Sequence, residues 1–230
     1  MTILTLSKIT KTYRKGDIEV KALGGIDLDL EKGEFCAIVG PSGSGKTTLL
    51  NIIGCLDKPT SGLISYQGRE LKVLGEKELS AYRREHVSFI FQSFNLIPVL
   101  TVAENVELPL SIDGSFSKAA MRKKAMEMLK AVGIADKADR YPRELSGGQE
   151  QRVAIARALI KDPSVVLADE PTANLDSRNA EEIIRLMKLM NQKSQTTFIF
   201  STHDKMIMEE AQRVFHLHDG LIVNDERKEK

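Results

Sequence analysis

The feature that most constrains this chain is a glycine-rich octapeptide at residues 40–47, Gly-Pro-Ser-Gly-Ser-Gly-Lys-Thr. An apolar run at 35–39 precedes it and is typical of a buried strand, and residues 47–56 predict a helix with one apolar face. A glycine-rich turn between a strand and a helix leaves backbone N–H groups free to converge on phosphate oxygens at the positive end of the helix dipole. The octapeptide therefore predicts a phosphate-binding loop rather than an ordinary turn.

Two side chains of this phosphate loop have individual roles. Lys46 can reach the β- and γ-phosphates of a nucleotide, and the Thr47 hydroxyl can bind Mg²⁺. We expect the nucleotide to be bound by the whole loop and the residue after it, which are Gly40, Pro41, Ser42, Gly43, Ser44, Gly45, Lys46, Thr47 and Thr48.

Length and composition exclude several classes of protein. At 230 residues, with 42% apolar and 28% charged residues, the chain is one large domain or a domain with an inserted subdomain. A net charge of +1 argues against a non-specific nucleic-acid binder, so we expect no nucleic-acid partner. Cys36 and Cys55 form no C-x-x-C pair, which favours small core residues in a reducing compartment. The sequence has neither a basic signal peptide nor an apolar run of the ~18 residues that a membrane span needs. We therefore expect a cytoplasmic chain.

Strand and helix patterns alternate along most of the sequence. The strand-like runs lie at 3–6, 20–23, 26–30, 35–39, 63–66, 87–91, 165–168, 196–200 and 214–217, with a turn at 13–16. Helical spacing is found at 47–56, 76–84, 118–132, 149–160 and 177–191, and a shorter helix begins at Lys205. From Ser93 to about 162 the pattern is helical. We predict an α/β fold with a mainly parallel core sheet (1–92 and 163–230) and an inserted helical subdomain (93–162). The tail 224–230 is expected to be disordered.

A pair of carboxylates forms the second motif. The apolar strand at 165–168 is followed by Asp169 and Glu170, at the end of the strand where open α/β sheets bind ligands. Asp169 is suited to hold Mg²⁺, and Glu170 is suited to orient or polarise an attacking water. Together with the phosphate loop, they provide a cradle, a metal and a positioned water, which predicts a nucleotide hydrolase.

The third motif is Leu-Ser-Gly-Gly-Gln at 145–149, just before a helix. Its serine and free backbone donors form a second anion site at a helix N-terminus. One γ-phosphate cannot contact two helix N-termini from opposite ends of one domain unless a second copy approaches. With these three motifs, the chain resembles the ATP-binding-cassette (ABC) ATPases over nearly its whole length, and residues 145–149 match the family's signature.

The resemblance implies a fold and an assembly. The fold is a P-loop NTPase core with an N-terminal antiparallel β subdomain and the helical subdomain. The assembly is a homodimer in which the signature of one subunit closes over the ATP held by the phosphate loop of the other. The residues implied to reach the nucleotide from the signature and from the interface loop at 174–176 are Ser146, Gly147, Gly148, Gln149 and Asp176.

Three further residues take roles from the resemblance. Tyr13 matches the aromatic residue that stacks on adenine, although a partly buried turn tyrosine is the alternative. Gln92 matches the glutamine that touches Mg²⁺ and the attacking water. His203 matches the switch histidine that contacts the γ-phosphate, whereas a lone histidine would more often be structural. The expected catalytic residues are therefore Lys46, Gln92, Glu170 and His203.

Four segments, at 13–23, 51–62, 91–98 and 167–172, are similar to the lipoprotein-releasing and macrolide-export subgroup. Ala173 and Glu150 depart from it, since the subgroup often has glycine and glutamine there. The implied function is an ATPase subunit that powers a separate integral membrane permease, as a peripheral protein on the cytoplasmic face of the inner membrane.

Other functions of the family fit the sequence less well. A DNA-repair ATPase would need coiled coils or DNA-binding domains, and translation-associated relatives carry two cassettes. A cell-division or regulatory complex remains an alternative.

The apolar stretch at 94–100 allows two interpretations. Pro98 interrupts it, and neither a buried strand nor a helix interior readily accepts a proline. Phe94, Leu96 and Ile97 either pack the helical subdomain onto the core or line a groove that receives a short helix of the permease.

Overall fold

Two β-sheets organise the chain, which is described by a computed structural model at residues 1–16, 18–71 and 75–228. The strands are β1 Thr2–Lys15, β2 Ile18–Glu31, β3 Phe35–Val39, β4 Ser61–Tyr66, β5 Arg69–Glu70, β6 Val87–Ile90, β7 Val165–Asp169, β8 Thr197–Ser201, β9 Arg213–His218 and β10 Leu221–Arg227. The helices are α1 Lys46–Ile53, α2 Glu76–His86, α3 Val102–Asp113, α4 Lys118–Ala131, α5 Gly147–Leu159, α6 Ser177–Ser194 and α7 Lys205–Glu210. Short 3₁₀ turns lie at Ala135–Lys137 and Pro142–Glu144.

The larger sheet has the order β10-β9-β3-β8-β7-β6, with five parallel strands and β10 antiparallel at one edge. β3 is buried along its whole length, as expected for a parallel strand that is covered on both faces. Its side chains alternate between two cores: Phe35 faces the core beneath the helices, and Cys36 faces the core beneath the smaller sheet. Because the phosphate loop follows β3 directly, it starts from a buried strand that is paired on both sides.

The smaller sheet is antiparallel and has the order β2-β1-β4-β5. These two sheets confirm the predicted fold class. The separate strands predicted at 20–23 and 26–30 are one strand, β2. The turn predicted at 13–16 is wrong for residues 13–15, which belong to β1: Tyr13 still pairs with Val20 of β2. The pairing of β1 with β2 continues to Lys15 and Ile18, so the reversal comes later than its residue types indicated.

The prediction of helix from Ser93 onward is wrong for residues 93–101, which are irregular up to the start of α3 at Val102. Asn105 is fully buried and replaces the missing helical hydrogen bonds. Its Oδ1 accepts from the Ile97 N–H at 2.8 Å, and its Nδ2 donates to the carbonyls of Ile97 and Leu100 at 3.1 Å. The amide of Asn105 thus provides hydrogen-bond partners for backbone groups of a loop that contains a proline. The boundaries of the helical subdomain, at 93 and 162, stay a prediction.

The predicted disorder of residues 224–230 is wrong for 224–227, which belong to β10. Arg213 of β9 is only 4% exposed and donates to both carboxylate oxygens of Asp225 in β10, at 2.7 and 2.6 Å. A bidentate ion pair between buried Arg213 and exposed Asp225 anchors this charged tail to the sheet, which its composition alone did not indicate. Residues 229 and 230 lie outside the described residues. In the described part of the chain, no helix is long and apolar enough to cross a membrane.

Candidate nucleotide-binding site

A pocket of about 670 Å³ lies at the carboxyl ends of β3 and β7, beside the phosphate loop. It collects predicted residues from four separate segments of the sequence. The predicted residues that line it are Gly40, Pro41, Ser42, Gly43, Gly45, Lys46, Thr47, Thr48, Gln92, Asp169, Glu170 and His203. The predicted catalytic and metal-binding residues therefore surround one cavity.

The loop's conformation depends on close backbone contacts. Gly45 has φ +105°, and a Cβ added there would lie 2.6 Å from the Ala22 carbonyl oxygen, so no other residue fits without strain. The Lys46 ammonium donates to the carbonyls of Gly40 and Pro41 at 2.8 and 3.0 Å. Ser44, also predicted to bind the nucleotide, does not line the pocket. It is 2% exposed and donates its N–H to the Pro41 carbonyl at 3.2 Å.

The oxygen donors in the pocket fit Mg²⁺. The Thr47 hydroxyl donates to Asp169 Oδ2 at 3.4 Å, and Gln92 lines the same cavity. The described residues contain no cluster of three or more acidic, histidine or cysteine ligands. That is consistent with Mg²⁺, which is usually held by one or two carboxylates together with water and substrate phosphates.

Glu170 is held in an unusual backbone conformation. Its φ is +45°, in the left-handed region that costs a non-glycine residue about 1–3 kcal/mol. Its N–H donates to the Ser201 carbonyl at 2.9 Å. The carboxylate accepts from the Thr202 hydroxyl at 3.2 Å and lies 2.8 Å from His203 Nδ1. The Glu170 side chain is 17% exposed, whereas that of His203 is 77% exposed, so the carboxylate is fixed and the imidazole covers it from solvent.

Tyr13 lies beyond the edge of the pocket, next to Thr48. Its ring is 40% exposed, and its hydroxyl donates to Asp57 Oδ2 at 2.7 Å. Partial burial and this bond to Asp57 raise the pKa of Tyr13. Lys11 also binds Asp57, at 2.6 Å, and its Nζ lies 4.8 Å from the centre of the Tyr13 ring. The ring is thus held in place with one face available for stacking.

Residues of β2 that the sequence analysis missed also line the pocket, namely Val20, Lys21 and Ala22. Val20 is 56% exposed and is the direct cross-strand partner of Tyr13. An exposed valine beside an exposed tyrosine provides an apolar platform for a base. The available signal was the apolar residue itself on a predicted strand, but its register against β1 could not be derived from local sequence.

The structure does not bring the signature to this pocket. Ser146, Gly147, Gly148 and Gln149 begin α5, where Gln149 Oε1 accepts from the Ser146 N–H at 3.0 Å. A Cβ on Gly148 would lie 2.7 Å from Asn179 Oδ1, so this glycine allows α5 to approach α6 closely.

Asp176, the predicted interface residue, lies beside the signature rather than in the pocket. It caps α6 and accepts from the N–H and Nδ2 of Asn179 at 3.0 and 2.6 Å. These hydrogen bonds lower the pKa of Asp176. Signature and interface loop therefore form a second, separate surface in which Asn179 connects the two.

The segment after Gln92 connects the pocket to this second surface. Asn174 Nδ2 donates to the Gln92 carbonyl at 2.9 Å. Arg157 of α5 donates to the carbonyls of Phe94 and Asn95, each at 2.6 Å. Leu96 is partly buried and packs against the core beneath the helices. Of the two interpretations of residues 94–100, the observed contacts favour packing.

A groove of about 440 Å³ lies instead between α2 and β6 on one side and α3 and α5 on the other. We call it the basic groove. Its apolar and cationic lining residues include Leu56, Phe89, Phe91, Leu108, Ile112, Arg83, Arg84, Arg157 and Lys161. Lys161 donates to the carbonyls of Arg83, Arg84 and Val87 at 3.2, 2.5 and 2.6 Å. Burial, with the neighbouring Arg83 and Arg84, lowers the pKa of Lys161 to about 8.

Comparison with known proteins identifies the family. Residues 23–173 match the ABC transporter family. The uncharacterized ABC transporter ATP-binding protein MJ0796 of Methanocaldococcus jannaschii is 46% identical over 98% of this chain and 97% of its own length. The macrolide export ATP-binding/permease protein MacB of Syntrophobacter fumaroxidans is 45% identical over 96% of this chain, which spans only 31% of that longer protein.

Solved structures agree with this assignment. A dimeric structure of a post-hydrolysis state of the ATP-binding cassette MJ0796, bound to ADP and Pi, matches with a TM-score of 0.91 at 44% identity. The match covers 99% of this chain and 100% of that one. Another dimeric structure of MJ0796, a bacterial ABC transporter cassette, also has a TM-score of 0.91. The chain therefore belongs to the ABC transporter family, as one of its ATP-hydrolysing cassettes.

Proposed function

We propose that this chain hydrolyses ATP as a homodimer with shared active sites and thereby drives a separate integral membrane permease. The observation that carries the proposal is the separation of two half-sites. The pocket holds the phosphate loop and the carboxylates, whereas the signature and Asp176 lie on another surface of the same subunit. A second copy related by a two-fold axis places each signature opposite a phosphate loop.

The pocket residues have complementary roles in hydrolysis. Backbone N–H groups of the loop and the Lys46 ammonium bind the phosphates, for which Lys46 must exchange its bonds to Gly40 and Pro41. Thr47, Asp169 and Gln92 would hold Mg²⁺, which neutralises charge that develops on the phosphate oxygens.

Glu170 would position the attacking water and accept its proton at a carboxylate oxygen. One of these oxygens is held by Thr202, and the other lies 2.8 Å from His203. Rotation of the exposed His203 side chain toward the γ-phosphate would free that oxygen for water. The pair therefore provides a switch between a covered carboxylate and a working one.

The basic groove is the proposed docking site of the permease, through a short amphipathic cytoplasmic helix that bears acidic side chains. Its described lining residues include no acidic residue, so Arg83, Arg84, Arg157 and Lys161 leave a positive charge around an apolar floor. Ile112 is 63% exposed and Leu56 is 49% exposed, and both lie ready for apolar contact. The MacB relatives are named ATP-binding/permease proteins, so they combine both parts in one chain. This supports a membrane permease as the partner of the present chain.

A membrane permease as partner would place the chain on the cytoplasmic face of the membrane as a peripheral protein. The MacB relatives favour an export function over lipoprotein release, and a non-transport membrane complex of the cell-division type would dock in the same groove. The groove serves each of these functions, since it recognises the permease and not the transported substrate.

Substitution Ile112→Asp tests the docking proposal. A charge at this exposed apolar position should cost about 2 kcal/mol or more of binding free energy and abolish co-purification with the membrane permease. The matched control is Val223→Asp, since Val223 is 64% exposed but lies on the edge strand β10. ATP hydrolysis by both isolated variants should equal the parental rate. If Ile112→Asp still co-purifies at parental yield, the permease does not bind in this groove.

A further inference from the structure

One buried side chain of α5 contacts the backbone beside Glu170. Gln151 is two residues beyond the signature and is 0% exposed. Its Nε2 donates a hydrogen bond of 2.7 Å to the carbonyl oxygen of Pro171, which follows Glu170 directly. The contact is shielded from water, so solvent does not compete for it. The helix that carries the signature is thus bonded to the segment that carries the carboxylate.

Stability alone does not explain a glutamine at this position. Gln151 Oε1 is buried and has no hydrogen-bond partner among the described residues, and a buried unpaired acceptor destabilises a fold. The opposite orientation of the amide would place Oε1 against the Pro171 carbonyl oxygen, and two acceptors cannot form a hydrogen bond. The Pro171 carbonyl therefore determines the observed orientation of the amide. The bond to Pro171 is therefore the feature for which the side chain is suited.

The backbone of Glu170 requires such support. A φ of +45° at a residue that precedes proline is unfavourable and persists only where neighbouring contacts hold it. The Glu170 N–H is bonded to the Ser201 carbonyl on the strand side. The Thr172 hydroxyl donates to Asp204 Oδ2 at 2.7 Å on the other side. The Gln151 bond lies between these two and is the one that originates in the signature helix.

We propose that Gln151 is a positioning residue that couples the position of the signature helix to the catalytic carboxylate of the same subunit. The inference rests on the proposed function, in which the signature contacts the nucleotide of the partner while Glu170 serves the subunit's own nucleotide. Each Gln151 therefore connects the two shared sites of a dimer. When the partner's nucleotide docks on the signature and shifts α5, the Pro171 carbonyl and with it Glu170 follow.

Substitution Gln151→Met tests this role, because methionine has a similar length and no donor. We expect kcat to fall on the order of tenfold to hundredfold, with KM for ATP within about twofold of the parental value, since misplacement of a catalytic group affects the chemical step. Gln151→Asn is the second variant, since its amide is one methylene too short to reach Pro171.

The matched control is Asn191→Leu. Asn191 is also buried, at 4% exposed, and donates to the Gly33 and Thr196 carbonyls at 2.9 and 2.8 Å, but it contacts no residue of the site. Thermal unfolding of each variant separates loss of folding from loss of positioning, and the control should keep its kcat. A parental kcat in both folded Gln151 variants would overturn the proposal.

A double-mutant cycle with Glu170→Gln distinguishes positioning from general damage. If Gln151 acts through Glu170, adding Gln151→Met to Glu170→Gln leaves the residual rate unchanged, because the positioned group is already gone. A further loss by the same factor as in the single variant would overturn the inference. Parental hydrolysis by Glu170→Gln itself would instead overturn the proposed function, so the two failures are distinguishable.

Discussion

Two helix N-termini of this chain, those of α1 and α5, use the same physical device in different surroundings. The start of α1 follows Gly45, has no side-chain cap, and faces a pocket that also holds Lys46, Asp169 and Glu170. At the start of α5, Gln149 Oε1 accepts a hydrogen bond from the Ser146 N–H, and this helix end lies away from the carboxylates of the pocket. In the proposed function, the first is a nearly complete catalytic site, and the second is an anion site that lacks these groups.

This difference indicates why the chain functions as a pair. An anion site is useful only where a phosphate can reach it, and the pocket of the same subunit lies elsewhere. Side chains of the signature helix nevertheless donate hydrogen bonds to backbone carbonyls beside the pocket, from Gln151 to Pro171, next to Glu170, and from Arg157 to Phe94, two residues after Gln92. The incomplete site is therefore also the one that can report the arrival of a partner to the complete site.

The largest expected effect comes from substituting a carboxylate in the pocket, compared with the same substitution of a carboxylate next to the signature. Glu170→Gln should lower kcat by about 10²–10⁴-fold, because it removes the group that accepts the proton of water. ATP binding should survive, so gel filtration with saturating ATP should show a stable dimer. The matched control is Glu150→Gln at the start of α5, which should hydrolyse ATP at the parental rate. A Glu170→Gln variant that stays monomeric with ATP, or turns over at the parental rate, would contradict the assignment.

A smaller effect is expected at the far end of the pocket. Tyr13→Ala removes the ring beside Val20, and loss of stacking on a base, worth about 1–3 kcal/mol, should raise KM for ATP by about 5- to 150-fold. The change in kcat should be small, because the base does not take part in the chemical step and stacking would be equal in the ground and transition states. Tyr13→Phe keeps the ring and loses only the bond to Asp57, so its KM should stay close to parental. An unchanged KM in Tyr13→Ala would place adenine elsewhere.

The parts of this protein that were predictable from sequence are those whose signal is local. The phosphate loop and the Asp169–Glu170 pair come at the ends of buried apolar strands. The residue order of each short motif already determines which backbone and side-chain groups can bind a phosphate or a metal. The central sheet was predictable because parallel strands are continuous apolar runs.

The parts that were missed depend on individual contacts between residues of different elements or between a loop and a helix. The contribution of Val20 follows from its register against Tyr13, and the order of the tail follows from Arg213 reaching Asp225. The loop at 93–101 depends on one buried amide, that of Asn105. A strand register, a single ion pair and a single buried amide leave no periodic pattern in the sequence. Composition and spacing therefore could not indicate these three features.

The central claim is that each active site is shared between two subunits, and complementation tests it most directly. Lys46→Ala damages the phosphate loop, Ser146→Arg blocks the signature, and each variant alone should be inactive. In an equal mixture, half of the dimers are mixed, and each mixed dimer has one intact site of two. Activity should therefore recover to about a quarter of the parental value. If pull-down with two different tags shows mixed dimers but the ATPase rate stays at the level of the separate variants, the sites are not shared.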